Sequence, residues 1–108
     1  MLLQSRKLIL EHAGFDVVSC EAERAVAKLR EDPRAMHAAV IGQSIDLDDR
    51  IAIAQEMRRI AEHLAIVLMH YPGDRFDASV CDSVVETLSP PDALVRAVRR
   101  ALRRRGWQ

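Results

Sequence analysis

Three groups of residues have types and spacings that could do chemistry. Asp46, Asp48 and Asp49 crowd the stretch QSIDLDD, directly after a short apolar run that ends at Gly42. Grouped carboxylates can act as nucleophiles or hold a hard divalent cation through oxygen. They equally suit the start of a helix, where acids favour the positive end of the dipole, and the apolar periodicity beginning at Ile51 makes that the preferred use. His12, His37, His63 and His70 are scattered over four segments with no HxH or HExxH spacing, so they read as surface or strand-end residues and no metal site is expected. The third group is the basic end RAVRRALRRRGWQ, with Arg96, Arg99, Arg100, Arg103, Arg104 and Arg105. Such a run can meet nucleic acid or another anionic surface, or it can be a solvated helix face with cations at the negative end of the dipole. Cys20 and Cys81 have no CxxC spacing and read as reduced, unreactive thiols.

The whole chain limits what these groups can serve. At 108 residues it fits a single domain spanning 1–108, with one hydrophobic core. Sixteen basic residues balance sixteen acidic ones, which argues against nucleic acid or an anionic membrane attracting the protein as a whole. Any basic contact must be local. The opening MLLQSRKLIL has charges among its apolar residues, unlike a signal peptide, and no apolar run approaches membrane-spanning length. A cytoplasmic protein is expected.

Alternating patterns supply the elements that must position these groups. LLQSRKLILEHAG reads as a helix on Leu2, Leu3, Ile9, Leu10 and Ala13, left through Gly14. Arg6 interrupts that apolar arc, and its stem is expected on the core with its guanidinium in water. FDVVSC reads as a strand, EAERAVAKLRED as a helix with Ala22, Val26 and Leu29 inward, and AAVIG as a strand covered on both faces. A helix on Ile53, Ala54, Met57 and Ala61 follows, then the strand LAIVLMH, the turn YPGD and the short strand SVVETL. In the last helix, SPPDALVRAVRRALRRR, Ser89 is placed to cap and Leu94, Ala97, Val98 and Ala101 form the inward stripe. Helices alternating with short buried strands imply an α/β fold, a parallel sheet with helices on both faces.

In order and spacing, LLQSRKLILEHAGFDVVSC, AVAKLRED, HAAVIGQSIDLDD, LAIVLMH and SPPDALVRAVRRAL resemble the receiver domain of bacterial response regulators, from its first helix to its last. The resemblance covers nearly the whole chain. Its most specific pieces are the junction Ala13 to Val18, the AAVIG strand with its loop, and the Pro-Asp-Ala-Leu helix. It implies a flavodoxin-like fold with the first strand absent, since that strand would lie before Met1, and with the fourth helix shortened, since YPGDRFDASVCD leaves room for one or two turns.

A receiver takes a phosphoryl group onto an aspartate at the end of its third strand, beside a magnesium ion held by an acidic pair. The resemblance places Gly42 at the phosphoacceptor position, and glycine has no side chain to attack phosphorus or bind metal. Met69 stands where the family has a Ser or Thr, and Thr87 or Ser89 where it has a Lys. The acidic pair would end the absent first strand and is missing too, and these four departures remove one reaction. The expectation is a degenerate receiver, or pseudoreceiver: a non-enzymatic module with no cofactor, working through protein contacts in or near a two-component phosphorelay. Arg96, Arg99, Arg100 and Arg103 are expected to meet a signalling partner with an acidic surface. Without its first strand the sheet is left with an open edge, and a homodimer is expected over a monomer whose FDVVSC strand slides into the vacant slot. Two other readings are a phosphorylatable receiver using Asp46 or an upstream extension, and a small nucleic-acid-associated protein using the Arg-rich end.

Overall fold

The computed structural model describes residues 2–107, with side chains of the first helix from Arg6 onward. Leu2 and Leu3, expected to face inward, therefore lie outside the side chains described, as does any strand before Met1. The elements are α1 (Leu2–His12), α2 (Ala22–Glu31), β1 (Ala38–Ile41), α3 (Leu47–Ile60), β2 (Ala65–His70), β3 (Ser83–Glu86) and α4 (Pro91–Arg104). A single 3-10 turn at Ala78–Val80 stands where the shortened helix was expected.

The three strands form one parallel sheet in the order β1-β2-β3, with Val40 opposite Val67 and Leu68 opposite Val84. β2 is central and almost wholly buried, which explains its unbroken apolar sequence. Its side chains alternate between two cores. Ala65, Val67 and Met69 pack with Leu10 of α1 and with Leu94, Ala97, Val98 and Ala101 of α4. Ile66 and Leu68 pack on the other face with Leu29 of α2, with Ala54 and Met57 of α3, and with Ala61 at that helix's C-cap. Each of the larger aliphatic side chains contributes roughly 1.5–3 kcal/mol by leaving water. Helices thus cover both faces, as the periodicities required.

The ends of the helices follow their local chemistry, with one exception. α1 leaves through Gly14 at φ +99°, a backbone region side chains disfavour, and the Phe15 N–H then donates to the Leu10 carbonyl at 3.1 Å. Ser89, expected to cap α4, does not: Pro90 holds the N-cap position and Pro91 begins the helix. Two consecutive prolines need no N–H partner at a helix start, so the hydroxyl is left free for the sheet edge.

FDVVSC is not a strand. Phe15 and Val17 pack against the α1/α4 core, but the segment has no ladder partner, and Val18 is 71% exposed. A strand exists through its pairing, and no hydrogen bond among the described residues joins this segment to the outer edge of β1. The chain neither slides into the vacant slot nor closes it.

Candidate functional site

In an open parallel sheet the ends of the strands meet the loops at the carboxyl edge, where ligands usually sit. β1 delivers Gly42 to that edge, and α3 begins five residues later with Asp46 at its N-cap position. Asp46, Asp48 and Asp49 are all exposed at this helix start, and Asp46 makes no side-chain capping bond. No three of the described His, Cys, Asp or Glu residues gather closely enough to hold a metal ion.

The loops at this edge are tied together by Arg50, an arginine only 2% exposed. Its Nε donates to the Ile45 carbonyl at 2.8 Å, its Nη1 to the Met69 carbonyl at 2.5 Å, and its Nη2 to Asp74 at 3.2 Å. Asp74 also accepts from the Tyr71 N–H at 2.9 Å. That backbone bond, reinforced by Arg50 against the cost of burial, holds the Asp74 carboxyl below the usual carboxylate range. The loop after β1 is thereby fastened to the loop after β2. Sequence reasoning passed over Arg50, although it stands four residues before Ala54 and seven before Met57, on the buried stripe of α3.

Arg6 departs from expectation. Its guanidinium is half-buried and turned over the strand ends, where Nη1 donates to Gln43 Oε1 at 3.1 Å. A Cβ built on Gly42 would lie 3.1 Å from Arg6 Nη2. The arginine therefore occupies the space into which a side chain at position 42 would grow. Burial lowers the Arg6 pKa, and no carboxylate among the described residues pairs with it to offset that loss of hydration.

Arg6, Gln43, Met69, Thr87 and Ser89 line one cleft of about 160 Å³ between α1, the ends of β2 and β3, and the start of α4. Of the positions singled out in the sequence, Met69, Thr87 and Ser89 thus share one cleft. Thr87 donates its N–H to the His70 carbonyl at 2.9 Å, while its buried Oγ1 has no partner among the described residues. Met69 is buried, and Ser89 is held by its N–H on the Glu86 carbonyl at 3.1 Å.

The arginines of α4 divide between two places. Arg96, Arg99, Arg100 and Arg103 are exposed on one face of the helix, Arg96 paired with Asp92 and Arg99 reaching the Ala13 carbonyl at 3.5 Å. Arg104 and Arg105 turn instead to the opposite end of the sheet. There Asp82, 3% exposed, accepts from Arg58 at 2.6 Å, Arg105 at 2.8 Å and the Ile66 N–H at 2.8 Å, while Arg104 reaches its carbonyl at 3.4 Å. Trp107 closes that end, donating to the His63 carbonyl at 3.0 Å and stacking on His37 with ring centroids 4.4 Å apart.

An open parallel sheet covered on both faces, with its loops converging on the end of β1, defines the class: the fold is that of a response regulator receiver domain. Solved structures agree. The crystal structure of a response regulator receiver domain protein from Clostridium thermocellum matches at a TM-score of 0.75 and 17% identity, over 94% of this chain and 86% of that one. NtrX from Brucella abortus, solved in complex with ADP, matches at a TM-score of 0.75 and 21% identity over 95% of this chain, which spans 24% of NtrX. At such identities the likeness is one of fold, and function must be argued from the site. No protein-family model and no curated protein matches the chain.

Proposed function

We propose that this chain is a receiver-like signalling module that takes up no phosphoryl group and acts through protein contacts, in the cytoplasm, in or near a two-component phosphorelay. The observation that carries the reading is the end of β1: Gly42 offers no nucleophile, and Arg6 fills the space beside it. Phosphoryl transfer to a carboxylate needs that nucleophile and a cluster of oxygen ligands for the metal. Asp46, Asp48 and Asp49 are exposed helix-start acids, and among the described residues no three His, Cys, Asp or Glu gather to hold a metal ion. Intact-mass spectrometry after incubation with acetyl phosphate and magnesium tests the reading. The expected mass is unchanged, and a stoichiometric acid-labile adduct on any of the three aspartates would sink it.

Two surfaces support action by contact. The exposed arginines Arg96, Arg99, Arg100 and Arg103 form a cationic face suited to an acidic protein partner. Reversing Arg96, Arg99 and Arg103 to Glu should abolish partner capture and leave the thermal melt nearly unchanged. The second surface is the outer edge of β1, unpaired among the described residues. Unpaired apolar edges invite a second chain, which favours a twofold homodimer. Light scattering after size exclusion checks this, and a mass near 12.2 kDa at every concentration would end the dimer.

A further inference from the structure

The cleft at the carboxyl edge combines features that the loss of phosphoryl chemistry does not explain. Its only cationic group, Arg6, spends one hydrogen bond on the neutral amide of Gln43 and leaves the rest of its five donors uncommitted among the described residues. Thr87 Oγ1 is buried without a partner among the described residues, an arrangement that folded proteins avoid unless water or a ligand completes it. The remaining walls are mostly apolar, from Ile9, Met69, Val85 and Leu94. Pro90 and Pro91 at the lip have no N–H to offer.

The donor set selects the ligand. A phosphate dianion needs many donors, and this cleft has one cation, two hydroxyls and an amide. Glu86, exposed at the lip, repels a second negative charge more than it repels a single one. A carboxylate matches the planar fork of a guanidinium, and a hydrocarbon body would cover the apolar walls. At about 160 Å³ the cleft is smaller than pockets that take nucleotides or drug-sized molecules.

We infer that this cleft binds a small monocarboxylate with a short hydrocarbon body, the carboxylate held by Arg6 and Thr87 and the hydrocarbon against Ile9, Met69, Val85 and Leu94. The module would then receive a metabolite at the edge where a phosphorylatable receiver takes its phosphoryl group. This rests on the non-phosphorylating reading for its meaning in signalling, while the binding itself is independent of it.

Titration of the ¹⁵N-labelled protein with sodium isovalerate, followed by amide NMR, tests the inference. Saturable shifts at about millimolar concentration are expected, centred on Gly42, Gln43 and residues 86–89. 3-Methylbutanol, which keeps the hydrocarbon and lacks the charge, and inorganic phosphate should each bind at least tenfold more weakly. Arg6→Gln should weaken isovalerate tenfold or more, and Thr87→Val about three- to tenfold. Arg6→Met, which keeps the apolar stem, repeats the first test if the glutamine variant unfolds. Isovalerate shifts that never saturate, equal binding of the alcohol, tighter binding of phosphate, or undiminished binding by both Arg6 variants would overturn the inference. None of these results alters the acetyl phosphate outcome, so the two readings fail separately.

Discussion

Each end of the sheet holds one buried and well-matched ion, Asp82 at the amino end and Arg50 at the carboxyl end, but the carboxyl end holds beside it a half-buried ion that is not. At the amino end Asp82 is nearly inaccessible and fully matched: two arginines and a backbone N–H bind its oxygens, and Trp107 closes over the neighbouring chain. At the carboxyl end, among the described residues, Arg6 has one neutral partner and Thr87 Oγ1 none, and Gly42 leaves the strand tip without a side chain. A buried ion that is paired and hydrogen-bonded holds elements in place, whereas one left partly unmatched is available to something else. Asp82 thus reads as architecture, while Arg6 and Thr87 mark where function is to be sought; the amino end keeps one unmatched group of its own, His63 Nε2, buried without a partner among the described residues.

The largest expected effect comes from undoing the matched end. Asp82→Ala leaves Arg58, Arg105 and the Ile66 N–H without their acceptor, and should reduce unfolding stability by about 3 kcal/mol. Urea denaturation measures it, and a loss below about 1 kcal/mol would contradict the contrast between the two ends. The effect also has a pH signature. Burial alone would raise the Asp82 pKa, but the Ile66 N–H together with Arg58 and Arg105 outweighs it and holds the carboxyl below its usual range. A folded-state pKa below the unfolded value gives stability that is complete above about pH 4 and lost as the pH falls through the folded value. The gap in denaturation midpoint between wild type and Asp82→Ala should therefore be constant near neutrality and shrink in acid.

The helices, the three strands and the two-faced sheet were all legible, because each core element repeats its apolar residues at its own period and β2 is apolar throughout. The bare tip at Gly42 was also legible once AAVIG was taken as a strand. The state of FDVVSC was not, because its Val-rich sequence states a preference for pairing and pairing depends on a neighbour. Nor could the partners of the charged residues be read. Arg6 stood out as a break in an apolar arc, but nothing local says that its guanidinium crosses to Gln43, 37 residues away. Asp82 and Arg105 are separated by 23 residues and Arg50 and Asp74 by 24, so only the folded sheet makes them neighbours. Arg104 and Arg105 looked like part of one basic tail with Arg103, and the helix turn alone sends them to different surroundings.

A smaller effect is expected from supplying the carboxyl end with what it lacks. Gly42→Asp places a carboxylate beside Arg6, and the 3.1 Å approach to the flexible end of that side chain is relieved by a small guanidinium shift. Removing a glycine also reduces the freedom of the unfolded chain. Stability should rise by about 0.5–1 kcal/mol in chemical denaturation. The variant should still gain no acid-labile adduct from acetyl phosphate and magnesium, because Arg6 neutralises the new carboxylate and the described residues hold no ready group of three metal ligands. A magnesium-dependent adduct would show that this edge is one substitution from an active receiver, and the contrast with the amino end would need another explanation.

The smallest effect is the most diagnostic of an unmatched site. Thr87→Val exchanges the hydroxyl for a methyl of similar shape, and Thr87 Oγ1 gives no hydrogen bond to any described residue. Deleting a buried polar group with a partner strands that partner and costs about 1–3 kcal/mol, whereas deleting one without a partner strands nothing. The backbone bond from the Thr87 N–H to the His70 carbonyl at 2.9 Å survives the exchange, so the end of β3 keeps its anchor. The apo protein should therefore be unchanged or more stable by up to about 1 kcal/mol, the opposite sign to Asp82→Ala. Equilibrium denaturation of the two variants side by side decides it. A loss above about 1 kcal/mol on Thr87→Val would mean that the hydroxyl is matched in solution, by an ordered water held between it and Arg6, and that the carboxyl end is as settled as the amino end.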